Sequence, residues 1–345
     1  MSRLAVVLFN LGGPDRPESV RPFLFNLFYD AAIISVPQPV RWCLAHVISK
    51  CRTPVARKIY EHLGGKSPLL YLTRSQANAL QENLSDMDEI KVFVCMRYWH
   101  PMSKEVVRSV KDFAPDQIVL LPLYPQYSGT TSGSSLRDWK EAAKRVGLSV
   151  PTSAICCYPT DSGWIQAQAE LISKALKSVT QGNEGRVLFS AHGLPKKVIA
   201  AGDPYQWQVE KTVEAVVDRI GENRLDWAVC YQSRVGPLEW IGPSTEDELA
   251  RAGEDGKSVI VVPIAFVSEH SETLVELDIE YREEAKRFGV TEYIRVPAVG
   301  TNPSFIIGLG DLVRGALACN SDLSCDISSD TRVCPQNYQR CPRPV

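Results

Sequence analysis

The sequence predicts an α/β protein made of two similar units, each a parallel sheet of four strands covered by helices on both faces. Three observations carry this. Short apolar runs alternate with helical patterns along the chain, the order that produces parallel sheets. The runs are almost continuously apolar, as strands buried on both faces are. They also fall into two matching sets. VVLFNLGGP (6–14) parallels VLFSAHGLP (187–195), and VFVCMRYWHP (92–101) parallels WAVCYQSRVGP (227–237). IVLLPLYPQYS (118–128) parallels VIVVPIAFVSE (259–269), and SAICCYPT (153–160) parallels EYIRVPAVGT (292–301). At 345 residues, two domains fit better than one.

Taken in order, strands are expected at 4–9, 91–96, 117–123 and 153–158, then at 186–190, 226–231, 258–264 and 292–296. The clearest helix is 205–220, where Tyr205, Val209, Val213, Val216 and Ile220 recur at helical spacing behind Asp203-Pro204. The first gap of the N-terminal half is about 50 residues longer than its counterpart, so residues 14–73 read as an insertion. Its centre, FLFNLFYDAAIISVP (23–37), gathers Phe23, Phe25, Phe28 and Tyr29. A core helix and an exposed apolar lip for a flat greasy ligand or a membrane surface are both open.

Composition narrows the function. With 38 basic and 40 acidic side chains there is no electrostatic reason to expect nucleic acid. No apolar run is long enough to span a bilayer, and MSRLAVVLFNLGG lacks the features of a signal peptide, so a cytoplasmic protein is expected. GGKSP (64–68) imitates a phosphate-binding loop, but Tyr60 stands where its first glycine belongs, and no GxGxxG follows a strand. Nucleotide chemistry is not expected. Six of the ten cysteines are scattered, several in apolar runs, and read as reduced core residues. Cys319, Cys325, Cys334 and Cys341 crowd into the tail 319–345, where a metal or iron–sulfur site competes with a loose tail.

The chemistry concentrates in 258–284. A buried strand breaks at Ser268-Glu269-His270 and continues as a helix carrying Glu272, Glu276 and Glu280. Spacing of four puts the three carboxylates on one helix face, in tighter register if the turns widen to π. Like charges so placed destabilise an ordinary helix, so a cation path or proton relay stands against a solvated acidic face. The row starts at a strand end, where open α/β sheets place their ligands. His192 in SAHGLP (190–195) falls at another strand end and can take a proton near neutral pH. Arg97 in MRYWHP and Arg234 in YQSRVGP could hold carboxylates, or could form salt bridges between domains. YSGTTSGSS (127–135) precedes a helix, where it could cradle an anion or serve as a plain loop.

Together these motifs resemble the ferrochelatases, the terminal enzymes of haem synthesis. The likeness runs from LFNLGGP (8–14) to about residue 303. It includes LGGKSPL (63–69), MRYWHP, LPLYPQYS with TTSGSS, SAHGLP, DPYQWQVE (203–210), YQSRVGPLEWIGPST (231–245) and PIAFVSEHSETLVELDIEY (263–281). The resemblance implies two Rossmann-like, chelatase-like domains, 1–160 and 161–302, with a porphyrin cleft between them. It also implies a helix near 303–318 packing back across them, and a Cys-rich tail. The implied reaction is that of a lyase, inserting Fe²⁺ into protoporphyrin IX to give protohaem, with iron as substrate and no cofactor required. His192 would accept pyrrole protons with Glu272 as its partner in metal and proton handling, and Glu276 and Glu280 would continue the relay, with Glu269 and His270 beside it. Arg97, Tyr127, Ser128, Phe23 and Phe28 are candidate porphyrin contacts. The lip at 23–36 implies peripheral contact with the inner membrane, and the resemblance admits a homodimer. Some relatives hold a [2Fe–2S] cluster. Here Cys157, Cys334 and Cys341 stand at matching positions, with Cys325 or Cys319 for the fourth sulfur. Gly129 replaces the animal pattern's Cys, and Arg343 replaces the last bacterial one. A cobalt chelatase of the same fold and a non-catalytic haem or metal carrier with an iron–sulfur tail are the competing readings.

Overall fold

The structure is a computed structural model that describes residues 2–222, 224–234, 236, 238–319, 322–326 and 332–343. The chain divides into two compact units, Met1–Cys157 with Leu309–Thr331, and Tyr158–Gly308 with Arg332–Val345.

The first unit is built on a parallel sheet in the order β2-β1-β3-β4-β9. Its strands are β1 (Arg3–Asn10), β2 (Glu89–Met96), β3 (Gln117–Pro122), β4 (Thr152–Cys157) and β9 (Leu323–Cys325). The apolar run of β1 is buried from Leu4 onward, as a central strand flanked on both sides must be. The insertion supplies α1 (Val20–Tyr29), α2 (Gln38–Glu61) and α3 (Leu69–Asn83), and the crossovers supply α4 (Ser103–Phe113) and α5 (Ser132–Val146). One face of the sheet packs Phe9, Phe93, Val107 and Leu120 against Trp139, whose ring meets Phe9 edge-on at 5.7 Å.

The second unit repeats the plan with the order β6-β5-β7-β8. These are β6 (Asp226–Gln232), β5 (Gly185–His192), β7 (Ser258–Pro263) and β8 (Tyr293–Arg295), again all parallel. Around them lie α6 (Ser162–Leu176), α7 (Lys196–Ala200), α8 (Tyr205–Ile220), α9 (Thr245–Glu254) and α10 (Tyr281–Arg287). The four-strand order is the same in both units, as the two matching sets of apolar runs require. The last helix, α11 (Pro303–Ala318), starts in the second unit and ends in the first. Phe305 is fully buried with its ring 5.7 Å from that of Trp164, and Arg314 pairs with Asp86 at 2.8 Å.

One expectation needs correction. The first sheet has five strands rather than four, because the tail adds β9 alongside β4. LSC is too short for an apolar run to announce it, but Ser324 and Cys325 are buried.

Candidate active site

His192 is the last residue of β5. Its Nδ1 lies 2.7 Å from the Gly193 carbonyl oxygen. A carbonyl can only accept, so Nδ1 carries the hydrogen, and in the neutral ring Nε2 is the atom with the lone pair. That Nε2 stands 3.9 Å from Glu272 Oε2, a buried oxygen with no hydrogen bond among the described residues. The backbone of His192 is hydrogen-bonded to the Tyr205 hydroxyl, whose pKa is raised by burial and then by the charges of Glu272 and Asp203. Tyr205 thus supports the strand end from below with a phenol that stays neutral.

Glu272 opens a π-helix, Glu272–Glu280. The wider turn sets residues four apart almost one above another, so the acidic row is stacked and runs from partly buried Glu272 and Glu276 to exposed Glu280. Four contacts hold this unusual helix. His270 N–H donates to Thr273 Oγ1 at 3.0 Å, and Thr273 N–H donates to His270 Nδ1 at 3.3 Å. Burial lowers the His270 pKa, which suits an acceptor kept neutral. Arg295 then clamps Glu269 and Asp278, both at 2.8 Å, fixing the preceding loop to the middle of the helix. His270 and Glu269 are therefore spent on building the helix.

Glu276 is the group most altered by its surroundings. Its carboxyl accepts from Ser233 N–H at 2.9 Å, Ser233 O–H at 2.6 Å and Gln232 Nε2 at 3.2 Å. Burial, then the charge of Glu272, pushes its pKa up to about 7, and the Ser233 bonds only partly offset this. Tyr281 O–H lies 3.3 Å from Glu276 Oε1 and 3.0 Å from Glu246 Oε1. A lone-pair base thus faces a carboxylate, with a carboxyl poised near neutrality one turn further on.

A ferrochelatase family model matches residues 3–317. Curated relatives cover nearly the whole chain. A ferrochelatase of Pelagibacter ubique is 49% identical over 342 residues, 98% of each chain. One of Caulobacter vibrioides is 54% identical over 318 residues, 91% of this chain and 90% of the relative. The chain belongs to the ferrochelatase family. Among solved structures, the Bacillus subtilis protein SirB with Fe³⁺ superposes with a TM-score of 0.53 at 12% identity, covering 92% of this chain and 96% of that one. A sirohydrochlorin chelatase SirB with cobalt gives 0.51 at 11% identity, covering 92% and 95%. At such identities they bear on the fold alone, which is that of the chelatases.

The remaining site candidates of this ferrochelatase-family chain make the following contacts. Arg97 is engaged by its own unit: Nη2 donates to Asp30 Oδ2 at 2.9 Å, and Nη1 lies 3.7 Å from Asp138. Arg234 likewise lies 3.8 Å from Asp247. Ser128 Oγ is tied into its own turn, 2.8 Å from Thr130 Oγ1 and accepting from Thr130 N–H at 3.1 Å. Tyr127 is buried, and only the absence of a side chain at Gly133 leaves room for its hydroxyl, since a Cβ there would lie 2.6 Å away. Phe23 is buried with Val20, Leu24, Tyr60 and Tyr98, and Phe28 packs at the edge of that group, while Phe25 and Tyr29 are half-buried and stack on each other with centroids 5.4 Å apart. Among the described residues of the insertion, exposed large apolar side chains are Ile33, then Val40, Trp42, Leu44, Val47 and Val55 on α2, and Tyr71 on α3.

In the first unit, Cys157 Sγ lies 3.6 Å from Cys156 Sγ and is hydrogen-bonded to Cys325 across the β4–β9 pairing. Those two thiols and burial push its pKa well up. In the second unit, Gln208 Nε2 donates to Cys334 Sγ at 3.0 Å, and Cys341 is buried. Among the described residues no three His, Cys, Asp or Glu side chains form a group that could hold a metal ion.

Sequence reasoning missed Asp30, Tyr205, Ser233, Glu246, Tyr281 and Arg295. Gln232 and Ser233 lie inside the motif YQSRVGP, where the arginine drew attention instead. Asp30, Tyr205, Glu246 and Arg295 carry no local signal, because their partners are remote in sequence, and Tyr281 is five residues from Glu276 but just past the acidic row that drew attention.

Proposed function

We propose that the chain inserts Fe²⁺ into protoporphyrin IX, giving protohaem, the lyase reaction that ends haem synthesis. The observation that carries this is the pairing of His192 and Glu272. Metallation must remove two pyrrole N–H protons, and His192 Nε2 offers a lone pair fixed in direction by the Nδ1–H bond to Gly193. On taking a proton the ring becomes imidazolium, and Glu272, 3.9 Å away, stabilises that charge. Glu272 and Glu276 lead protons onward, because a carboxyl with a pKa of about 7 can both take and release one at working pH. Imidazole and carboxylate also suit a labile Fe²⁺ that has to be handed over, whereas thiolates would retain it.

Peripheral membrane contact belongs to the same reading, moved from α1 to α2. That helix exposes Val40, Trp42, Leu44, Val47 and Val55 and also carries Arg41, Lys50, Arg52, Arg57 and Lys58, the mixture that suits an anionic membrane surface. The test of the main proposal is anaerobic incubation of the purified protein with Fe²⁺ and protoporphyrin IX, followed optically. Many turnovers of protohaem per protein are expected. Stoichiometric binding without turnover would overturn it in favour of a carrier.

A further inference from the structure

Asp30 caps the end of α1 with its side chain almost out of solvent, 7% exposed. Its Oδ2 accepts from Arg97 Nη2 at 2.9 Å, from Tyr98 O–H at 2.8 Å and from Ser134 O–H. Its Oδ1 accepts from Ala32 N–H at 2.9 Å. The three side-chain donors are themselves held in place. Arg97 Nε donates to Ser134 Oγ at 2.7 Å, and its guanidinium lies 4.9 Å from the centre of the Tyr98 ring. Asn26 Nδ2, from the middle of α1, donates to the Tyr98 carbonyl at 3.1 Å.

The donors and the acceptor have different origins. Arg97 and Tyr98 follow directly from β2, and Ser134 sits in the first turn of α5, both parts of the repeated sheet scaffold. Asp30 comes from the insertion, which the second unit lacks. We infer that Arg97, Tyr98 and Ser134 form a carboxylate receptor on the scaffold and that Asp30 is its resident ligand, a latch fixing the end of α1 to the sheet. Convergent neutral and charged donors on one oxygen are what a small carboxylate needs, whether it is attached to the chain or free. Removing it leaves a largely buried guanidinium whose remaining carboxylate partner among the described residues is Asp138, 3.7 Å away. Under the proposed function, a consequence follows: while the latch is closed, these donors are not available to a porphyrin propionate.

The test needs no porphyrin, so its failure is separate from failure of the proposed function. In the full chain, Asp30→Ala is melted in sodium acetate and in sodium chloride of equal ionic strength. The melting temperature is expected to fall by roughly 5–10 °C. Acetate, but not chloride, should restore at least half of the loss, while leaving the wild type unmoved. An Asp30→Ala protein that melts like the wild type, or that acetate rescues no better than chloride, overturns the inference. Should that variant not fold, Ser134→Ala serves instead. Amide exchange in the last turn of α1 is then expected to rise by about tenfold, and unchanged protection there overturns the latch.

Discussion

Glu276→Gln gives the most direct test of the electrostatics of the π-helix. The carboxyl moves from its ordinary 4.5 to about 7 in the folded chain, which corresponds to about 3 kcal/mol. The folded state holds this proton more tightly than the unfolded state does. Its contribution is therefore complete below pH 4.5 and is lost as pH rises from about 4.5 to about 7, at up to about 1.4 kcal/mol per pH unit. Gln imitates the protonated side chain and has nothing to lose over that window. Denaturant titrations of both proteins at pH 5 and pH 8 check this, because other titrating groups are shared and cancel in the difference. The variant should be ahead by about 1 kcal/mol at pH 5 and by about 3 kcal/mol at pH 8. A difference that does not change between the two pH values, or that changes in the opposite direction, would refute the assignment of a raised pKa to Glu276.

Three further predictions follow from single contacts. His192→Ala should lower metallation by about 10²–10⁴-fold with an unchanged melting temperature, and Glu272→Gln should do nearly the same; turnover at the wild-type rate in either would sink the proposed roles. Gly308→Ala should cost about 1–3 kcal/mol, because its Cβ would lie 2.5 Å from Asp161 Oδ1 and 3.0 Å from Gly163 Cα; thermal melting reads the loss. Truncation after Ala318 removes β9 and uncovers the edge of β4, so the first unit should lose about 2 kcal/mol and exchange its β4 amides faster.

The strand plan was readable because buried parallel strands leave continuous apolar runs, and the duplication was readable because the runs recur with their flanking motifs. His192 and the acidic row were readable for a related reason: both sit at the ends of those runs. What escaped is what depends on partners remote in sequence. Nothing near Asp30 says that Arg97 lies against it, 67 residues on. Core helix and apolar lip both stayed open for Phe23 and Phe28, because a cluster of aromatics does not reveal which way it faces. The π-turn was foreseen only as an option, since the clamp that holds it is Arg295, beyond the helix itself.

The duplication also explains why two carboxyl groups behave so differently. Aligning VFVCMRYWHP with WAVCYQSRVGP on Cys95 and Cys230 places Gln232 opposite Arg97 and Ser233 opposite Tyr98. In both units this position, at the end of the second strand, supplies donors to a carboxyl from another element: Asp30 in one and Glu276 in the other. Burial works to raise both. In the first unit the full charge of Arg97, with the bonds from Ser134, Ala32 and Tyr98, outweighs burial and keeps Asp30 below its ordinary value. In the second the donors are neutral and Glu272 adds like charge, so Glu276 rises. One carboxylate is thus a permanent anion suited to a latch, and the other a proton store suited to a relay. Arg97→Gln makes the first resemble the second. With burial no longer outweighed, Asp30 should move above its ordinary 3.8, and the variant should lose stability relative to wild type as pH rises from 4 to 7. Denaturant midpoints at those two pH values measure it. A deficit that is the same at both would mean that Arg97 does not set the charge of Asp30.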